Sequence, residues 1–114
     1  MTKKIKIAIP TVGNNLTAHF GHCEYFTVIE AEGNEIIKNY KITPPMHQPG
    51  VYPMFLAEHG VNIVISGGMG RKAQDLFRQH NIDVCLGVNT GVPAEIARQF
   101  LNKELESGQN LCDH

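Results

Sequence analysis

The chain has 114 residues, of which 42% are hydrophobic and 18% charged, and its formal net charge is −1. This length and apolar content fit one compact domain and exclude a disordered chain, because there is enough apolar surface to bury. The near-zero charge gives no electrostatic basis for binding nucleic acid or an anionic membrane, and no apolar run approaches the roughly 20 residues that span a bilayer.

The N-terminal sequence and the cysteines favour a cytoplasmic location. MTKKIKIAIP alternates lysine with isoleucine, whereas a secretory signal needs a longer continuous apolar stretch. The three cysteines, Cys23, Cys85 and Cys112, are odd in number and far apart. We therefore expect thiols in a reducing compartment rather than a disulfide framework.

The first half of the chain predicts strands. Ile5, Ile7 and Ile9 lie at every second position of KIKIAIP, which is typical of a strand. Residues 24–43, EYFTVIEAEGNEIIKNYKIT, predict two further strands joined by a turn at residues 32–34, which makes a hairpin. The prolines and the glycine of residues 44–50 then indicate a loop.

The second half predicts helices that alternate with buried strands. The helical segments are VYPMFLAEHG, RKAQDLFRQH and the stretch from about Pro93, and the buried strands are VNIVIS and IDVCLGV. The expected inner faces of the last two helices are Ala73, Leu76, Phe77 and His80, and Ile96, Ala97, Phe100 and Leu101.

This order, β-β-β-α-β-α-β-α, predicts an α/β fold with a five-stranded mixed sheet in which strand 2 is antiparallel to the others. Residues 1–105 would form a single domain and residues 106–114 a polar C-terminal tail. Ligands of open α/β sheets bind outside the carboxyl ends of the strands. The segments expected at that edge are residues 11–16, 19–23, 43–50, 66–70 and 87–91.

The sequence TAHFGHCEYF, residues 17–26, carries the sharpest candidate site. His19, His22 and Cys23 supply imidazole and thiolate, which suit iron, zinc and copper, and thiolate particularly suits iron–sulfur clusters. The alternative is a turn in which His19 bonds the backbone and Cys23 begins a buried strand. Further candidate ligands, which a solvated loop or a polar terminus explains as well, are His47, Cys112 and His114.

Two glycine-rich connections, SGGMGRKA (residues 66–73) and GVNTGVP (residues 87–93), join strands to helices at the same edge. Glycine permits close backbone approach, and a helix N-terminus offers unpaired N–H groups, so both favour an anionic ligand. Tight strand-to-helix turns explain them equally. We expect no enzyme, because no nucleophile and base can be paired and the first strand lacks the carboxylates of a two-metal nuclease.

The motifs HFGHCEYF, GVNIVISGGMGRKA and GVNTGVPAEIARQFLNKEL together resemble the nitrogenase iron-molybdenum cofactor biosynthesis family, which includes NifX, NafY, the C-terminal domain of NifB and the small orange protein. The match extends from the first strand to about Leu105. The resemblance implies a ribonuclease H-like three-layer fold that binds an iron–sulfur, iron–molybdenum or molybdenum–copper sulfide cluster. The chain lacks a radical-SAM cysteine motif, so the resemblance implies a carrier or accessory protein with cluster donor and acceptor proteins as partners.

The resemblance also implies roles for individual residues. His19, Phe20 and Gly21 fall on the family's His-Phe-Gly motif, and Cys23 falls on the cysteine that follows it. The remaining implied residues are Gly67, Gly68, Met69 and Gly70 of the Gly-Gly-Met-Gly motif, and Cys112 and His114 of a Cys-x-His tail. Two other functions stay open: a nucleotide or small-anion binding module that uses the glycine loops, and a ligand-free interaction domain that uses the hairpin edge.

Overall fold

The computed structural model of the chain describes residues 4–17, 23–45 and 51–102. The strands are β1 (Lys4–Val12), β2 (Asn15–Leu16), β3 (Tyr25–Glu32), β4 (Glu35–Ile42), β5 (Ile63–Ile65) and β6 (Asp83–Cys85). The helices are α1 (Val51–Glu58), α2 (Arg71–Gln79) and α3 (Pro93–Leu101).

The main strands form one mixed sheet in the order β4-β3-β1-β5-β6. β3 is antiparallel to β1, and β4 is antiparallel to β3. β5 is parallel to β1, and β6 is parallel to β5. Strands β1, β4, β5 and β6 therefore run in one direction and β3 runs back, which confirms the predicted α/β fold with a mixed sheet.

The predicted number of strands is wrong, because the sheet of the described residues has six strands rather than five. The additional strand is β2, which pairs antiparallel with the end of β1 through Thr11↔Leu16 and Val12↔Asn15. Gly13 has a φ of 64° in the turn between them, a value that glycine adopts at little cost. A strand of two residues has no periodicity to recognise in the sequence.

Helices cover both faces of the sheet. On one face, α3 packs against the odd-numbered isoleucines of β1, and the buried cluster there includes Ile7, Ile9, Ile29, Ile63, Ile65, Ile96 and Phe100. On the other face, α1 and α2 pack against a second cluster of Ala8, Phe26, Tyr52, Leu56, Val61, Val64, Phe77 and Ile82. Ile5 packs at the margin of the first cluster, so the predicted inner face of the first strand is confirmed.

The inner face predicted for α2 is partly wrong. Phe77 is fully buried, but His80 is exposed, because the helix ends at Gln79 and His80 lies at the C-cap with a φ of −96°. The inner face of α3 is confirmed at Ile96, Ala97 and Phe100, and Leu101 is half-buried. None of the helices described, α1 to α3, is long and apolar enough to cross a membrane.

Candidate functional site

The carboxyl ends of β1, β5 and β6 meet the start of β3 at one edge of the sheet, and α2 and α3 begin there. Residues 13 and 24, residues 16 and 91, and residues 67 and 87 are joined by hydrogen bonds across this edge. The edge is therefore one connected structure rather than a set of separate loops. We call it the carboxyl edge.

The carboxyl edge binds the described residues on both sides of residues 18–22, the part of the TAHFGHCEYF motif that contains the histidines. On one side of this segment, the Thr17 N–H donates to the carbonyl of Pro10 at 2.9 Å. On the other side, the Glu24 N–H donates to the carbonyl of Thr11, also at 2.9 Å. Because Pro10 and Thr11 are neighbours in β1, the described residues on both sides of the segment are bound to the end of the same strand.

The tip of the β1–β2 hairpin is clamped to the residues that follow the motif. The Gly13 N–H donates to Glu24 Oε1 at 2.7 Å, and the Tyr25 hydroxyl donates to the Gly13 carbonyl. The Lys41 ammonium lies 4.6 Å from the centroid of the Tyr25 ring, a favourable cation–π contact. The backbone N–H and C=O of Gly13 are thus both bound by side chains of two consecutive residues, Glu24 and Tyr25.

The connection between β6 and α3 is tied to β2. The Leu16 N–H donates to the Gly91 carbonyl at 2.9 Å, and the Thr90 hydroxyl donates to the Leu16 carbonyl at 2.7 Å. Leu16 itself is buried in the cluster beneath α3. The second glycine-rich connection is therefore anchored to the core through this short strand.

The connection between β5 and α2, residues 66–70, is held by one internal hydrogen bond and by one from the connection between β6 and α3. The Ser66 hydroxyl is buried and donates to the Gly68 carbonyl at 3.0 Å, and the Gly87 N–H donates to the Gly67 carbonyl at 3.1 Å. Gly87 has a φ of 78°, whereas Gly70, at the N-cap of α2, has a φ of −63°. A positive φ, which glycine adopts readily, is therefore needed at Gly87 and not at Gly70.

The N-terminus of α2 offers the more favourable of two helix ends to an anion. Gly70 makes no side-chain capping bond, the first turn contains no acidic residue, and it begins with Arg71 and Lys72, which are both exposed. In α3, by contrast, the first turn contains Glu95. Negative charge near a helix N-terminus is stabilised by the helix dipole, and basic side chains add to that preference.

Cys23 lies at the start of this site in a half-buried position. It packs at the margin of the same cluster as Met69, and the Tyr52 hydroxyl hydrogen-bonds its sulfur. Burial raises the pKa of the Cys23 thiol to about 11, although the bond from Tyr52 lowers it in part. The thiol therefore carries its proton at neutral pH, so a metal that binds here must displace the proton.

The structure places some of the predicted site residues and leaves others outside its description. Cys23, Gly67, Gly68, Met69 and Gly70 all lie at the carboxyl edge. The predictions for His19, Phe20, Gly21, His22, His47, Cys112 and His114 fall outside the described residues. Within residues 4–17, 23–45 and 51–102, no group of three or more His, Cys, Asp or Glu side chains could hold a metal ion.

Sequence reasoning missed residues that support the site and misjudged one cysteine. Tyr25 and Glu24 form the clamp on Gly13, and Tyr52 contacts Cys23, yet only their closeness to the motif or to the loop could have suggested them.

Cys23 is a thiol as expected, but Cys85 is disulfide-bonded, so the expectation of thiols throughout is wrong for Cys85.

Comparisons with known proteins give consistent matches over nearly the whole chain. The profile of the family described as dinitrogenase iron-molybdenum cofactor matches residues 3–103. An uncharacterised protein of Methanocaldococcus jannaschii, MJ0580, is 36% identical over 110 residues, which cover 91% of this chain and 92% of that protein.

Solved structures are similar over the same extent. The crystal structure of PH0822 superposes with a TM-score of 0.85 at 28% identity and covers 93% of this chain and 96% of its own. The apo form of the orange protein from Desulfovibrio gigas superposes with a TM-score of 0.73 at 18% identity and covers 96% of each chain. At that identity the second similarity is one of fold.

Proposed function

Because the chain belongs to the dinitrogenase iron-molybdenum cofactor family, whose profile spans residues 3–103, we propose that it binds a metal–sulfur cluster and carries it between proteins that assemble such a cofactor. This membership confirms the family resemblance of the sequence motifs. The proposed cargo is an iron–sulfur, iron–molybdenum or molybdenum–copper sulfide cluster. Its partners would be the donor and the acceptor of that cluster, and its role would be binding rather than catalysis.

The observation that carries this proposal is the anchoring of the segment 18–22. Thr17, which precedes the segment, and Glu24, which follows Cys23, donate to adjacent carbonyls at the end of β1, so the described residues on both sides of His19 and His22 are bound at the carboxyl edge. Ligands of open α/β sheets bind at such an edge. Cys23, the first described residue after the segment, has a soft ligand atom and lies at the same edge.

In this proposal the primary ligands are His19 and Cys23. The auxiliary ligands would come from His22, His47 and His114, and Phe20 and Gly21 would lie beside the cluster. The backbone of Gly67, Gly68, Met69 and Gly70 and the basic N-terminus of α2 would stabilise the negative charge of cluster sulfides. A carrier has to release its cargo. A site with only one or two protein ligands suits that task better than a closed four-ligand cage does.

The test is anaerobic titration of the protein with preformed iron–sulfur and thiomolybdate clusters, measured by visible absorption and metal analysis. We expect stoichiometric binding by the wild type and its loss in His19→Ala. The matched control is His80→Ala, because His80 is exposed and lies at the far end of α2. Equal binding by all three proteins would show that His19 is not a ligand. No binding by the wild type would contradict the proposal.

Two variants of Cys23 separate a ligand from a core residue. Cys23→Ala and Cys23→Ser both remove the thiolate, so both should lose cluster binding if the sulfur is a ligand. If Cys23 only packs against the core beside Tyr52, both variants should bind clusters as the wild type does and differ from it in stability alone. Parallel urea unfolding gives that stability comparison.

A second candidate, the binding of a nucleotide or another small phosphate compound, is favoured by the N-terminus of α2. Arg71 and Lys72 stand in a first turn that contains no acidic residue. This function predicts that phosphate compounds raise the Tm and that Arg71→Gln abolishes the increase, while His19→Ala has no effect on it. A Tm that does not respond to ATP or inorganic phosphate would eliminate it.

The same proposal keeps the finer structural expectations. The order β4-β3-β1-β5-β6 supports a ribonuclease H-like fold, with helices on both faces of the sheet. We retain residues 1–105 as the cofactor-binding domain and the cytoplasm as its location. Limited proteolysis followed by mass spectrometry checks the domain boundary, and cell fractionation checks the location.

A further inference from the structure

A cleft of about 270 Å³ lies at the other end of β1, away from the carboxyl edge. Its lining includes Lys4, Lys6, Glu30, Ile37, Gly60 and Asn62. β1 runs from Lys4 to Val12, and at roughly 3.3 Å per residue the two ends are about 26 Å apart. The cleft is therefore separate from the proposed cluster site and does not depend on that proposal.

One wall of the cleft is a turn that is firmly joined to β1. The Lys6 N–H donates to Asn62 Oδ1 at 2.7 Å, and the Asn62 N–H donates to the Lys6 carbonyl at 2.8 Å. The Lys6 ammonium also donates to the His59 carbonyl at 2.8 Å. Since these bonds fix the segment between α1 and β5, the cleft is preformed.

The bond to Lys6 also determines the orientation of the Asn62 amide. A backbone N–H can donate only to an acceptor. The side-chain oxygen of Asn62 therefore faces Lys6, and its NH₂ group faces away. Asn62 is exposed, so this NH₂ group is accessible from solvent. Asn62 therefore presents a donor to anything that enters the cleft it lines.

The charged residues that line this cleft are Lys4, Lys6 and Glu30. The Glu30 carboxylate accepts a hydrogen bond from the Tyr40 hydroxyl at 2.7 Å and lies 3.8 Å from the Lys6 ammonium. Lys4 lies opposite Glu32 in the register of β1 and β3, but among the described residues it forms no ion pair. The Lys4 ammonium is therefore the charged group of this lining that a carboxylate could bind.

Ile37 gives the cleft an apolar side. The register of β3 and β4 shifts between Glu30 and Ala31, where Lys38 and Ile36 are their partners, so Ile37 is the extra residue of a β-bulge. Its side chain is 43% exposed. A bulge commonly redirects a side chain next to a binding site, and an exposed large apolar residue beside ammonium groups suits a ligand with an apolar body.

We propose that this cleft is a binding site for a small organic carboxylate, whose anionic head contacts Lys4 and the Asn62 amide and whose apolar body packs on Ile37. The cleft volume lies just below the roughly 300–1,000 Å³ of pockets that enclose drug-sized ligands. A ligand the size of a short-chain fatty acid therefore fits better than a larger cofactor.

The experiment is a titration of ¹⁵N-labelled protein with hexanoate, followed by NMR, with hexylammonium and sulfate as matched probes. Hexanoate should cause saturable shifts at the amides of Gly60, Asn62 and Ile37. Hexylammonium has the same apolar body with the opposite charge, and sulfate has charge without an apolar body, so neither should saturate these amides. Equal binding of hexanoate and either probe, or no saturable shift with hexanoate, would overturn the proposal.

Variants locate the two halves of the site. Lys4 is exposed, so Lys4→Glu should fold normally and weaken hexanoate about fivefold, the equivalent of roughly 1 kcal/mol. Ile37→Asn should also weaken the binding of hexanoate, because it removes the apolar contact with the alkyl chain. The control is Arg78→Glu near the C-terminal end of α2, an exposed position that makes the same charge change away from the cleft and should bind hexanoate as the wild type does. Wild-type affinity in both Lys4→Glu and Ile37→Asn would refute the assignment.

Discussion

Gly13 occupies the tip of the β1–β2 hairpin with a φ of 64°, and nothing lies within 4 Å of the position that a Cβ would take. Gly13→Ala should therefore be destabilising through backbone strain alone, by about 1 kcal/mol. The matched control is Gly91→Ala, where φ is not positive and a Cβ would make ordinary van der Waals contact with Ile96, so its effect should be small. Urea unfolding measures both, and equal effects would contradict the argument.

The raised pKa of Tyr40 predicts that the protein loses stability at high pH. Burial and the bond to Glu30 raise the pKa of the Tyr40 phenol from 10.0 to about 12. Because the folded protein holds this proton more tightly than the unfolded chain does, its contribution is complete below pH 10 and is lost as the pH rises toward about 12.

The measurement for Tyr40 is the Tm of wild type and Tyr40→Phe between pH 8 and roughly 11.5, just below the raised pKa. Tyr40→Phe has no phenol to ionise, so its Tm should fall less steeply over this interval than that of the wild type. Tyr52 titrates in both proteins and cancels in the comparison. Parallel curves would show that Tyr40 contributes nothing to the alkaline loss.

At the scale of elements, α1 is held to the sheet by a few residues. Leu56 is fully buried, whereas Met54, on the same helix, is 52% exposed. Leu56→Ala should cost about 2–5 kcal/mol of the free energy of unfolding, because it leaves a cavity in the cluster beneath α1 and α2. Met54→Ala should change it by less than about 0.5 kcal/mol, and chemical denaturation compares the two.

The elements that the sequence predicted correctly are those with a strong local pattern. β1 alternates isoleucines, β3 and β4 flank a glycine turn, and α3 begins at a proline, so local propensity and tertiary packing agree. β2 was missed because its two residues pair only through a contact with β1. His80 was misplaced because a helix pattern does not reveal at which residue the helix ends.

The same difference explains what could be predicted of the site. The carboxyl edge follows from the strand directions, which the sequence indicates. The clamp on Gly13 joins residues that are far enough apart in sequence to have no shared motif, and the bond between Tyr52 and Cys23 joins a helix to a loop. Such contacts depend on the assembled fold, so sequence spacing cannot give them.

At the scale of the molecule, stability should be graded across the sheet. β1 is paired on both sides, by β3 on one and by β5 and β2 on the other, whereas β4 and β6 lie at the margins. Native-state hydrogen exchange should be slowest at amides of β1 such as Ile7 and Ile9 and faster at those of β4 that face outward. Equally slow exchange along β4 would indicate that another chain pairs with that strand.

The central position of β1 also affects the order in which the strands can pair while the chain is being synthesised. β3 and β4 follow β1 closely in the chain and can pair with it early, but Ile7 must wait for Ile63 before its other side is paired. Such distant pairings slow folding and leave strand edges open meanwhile. On the ribosome, the partly made chain would leave one side of β1 unpaired and open to other chains, so the speed of translation through α1 and β5 bears on how much protein reaches its native state.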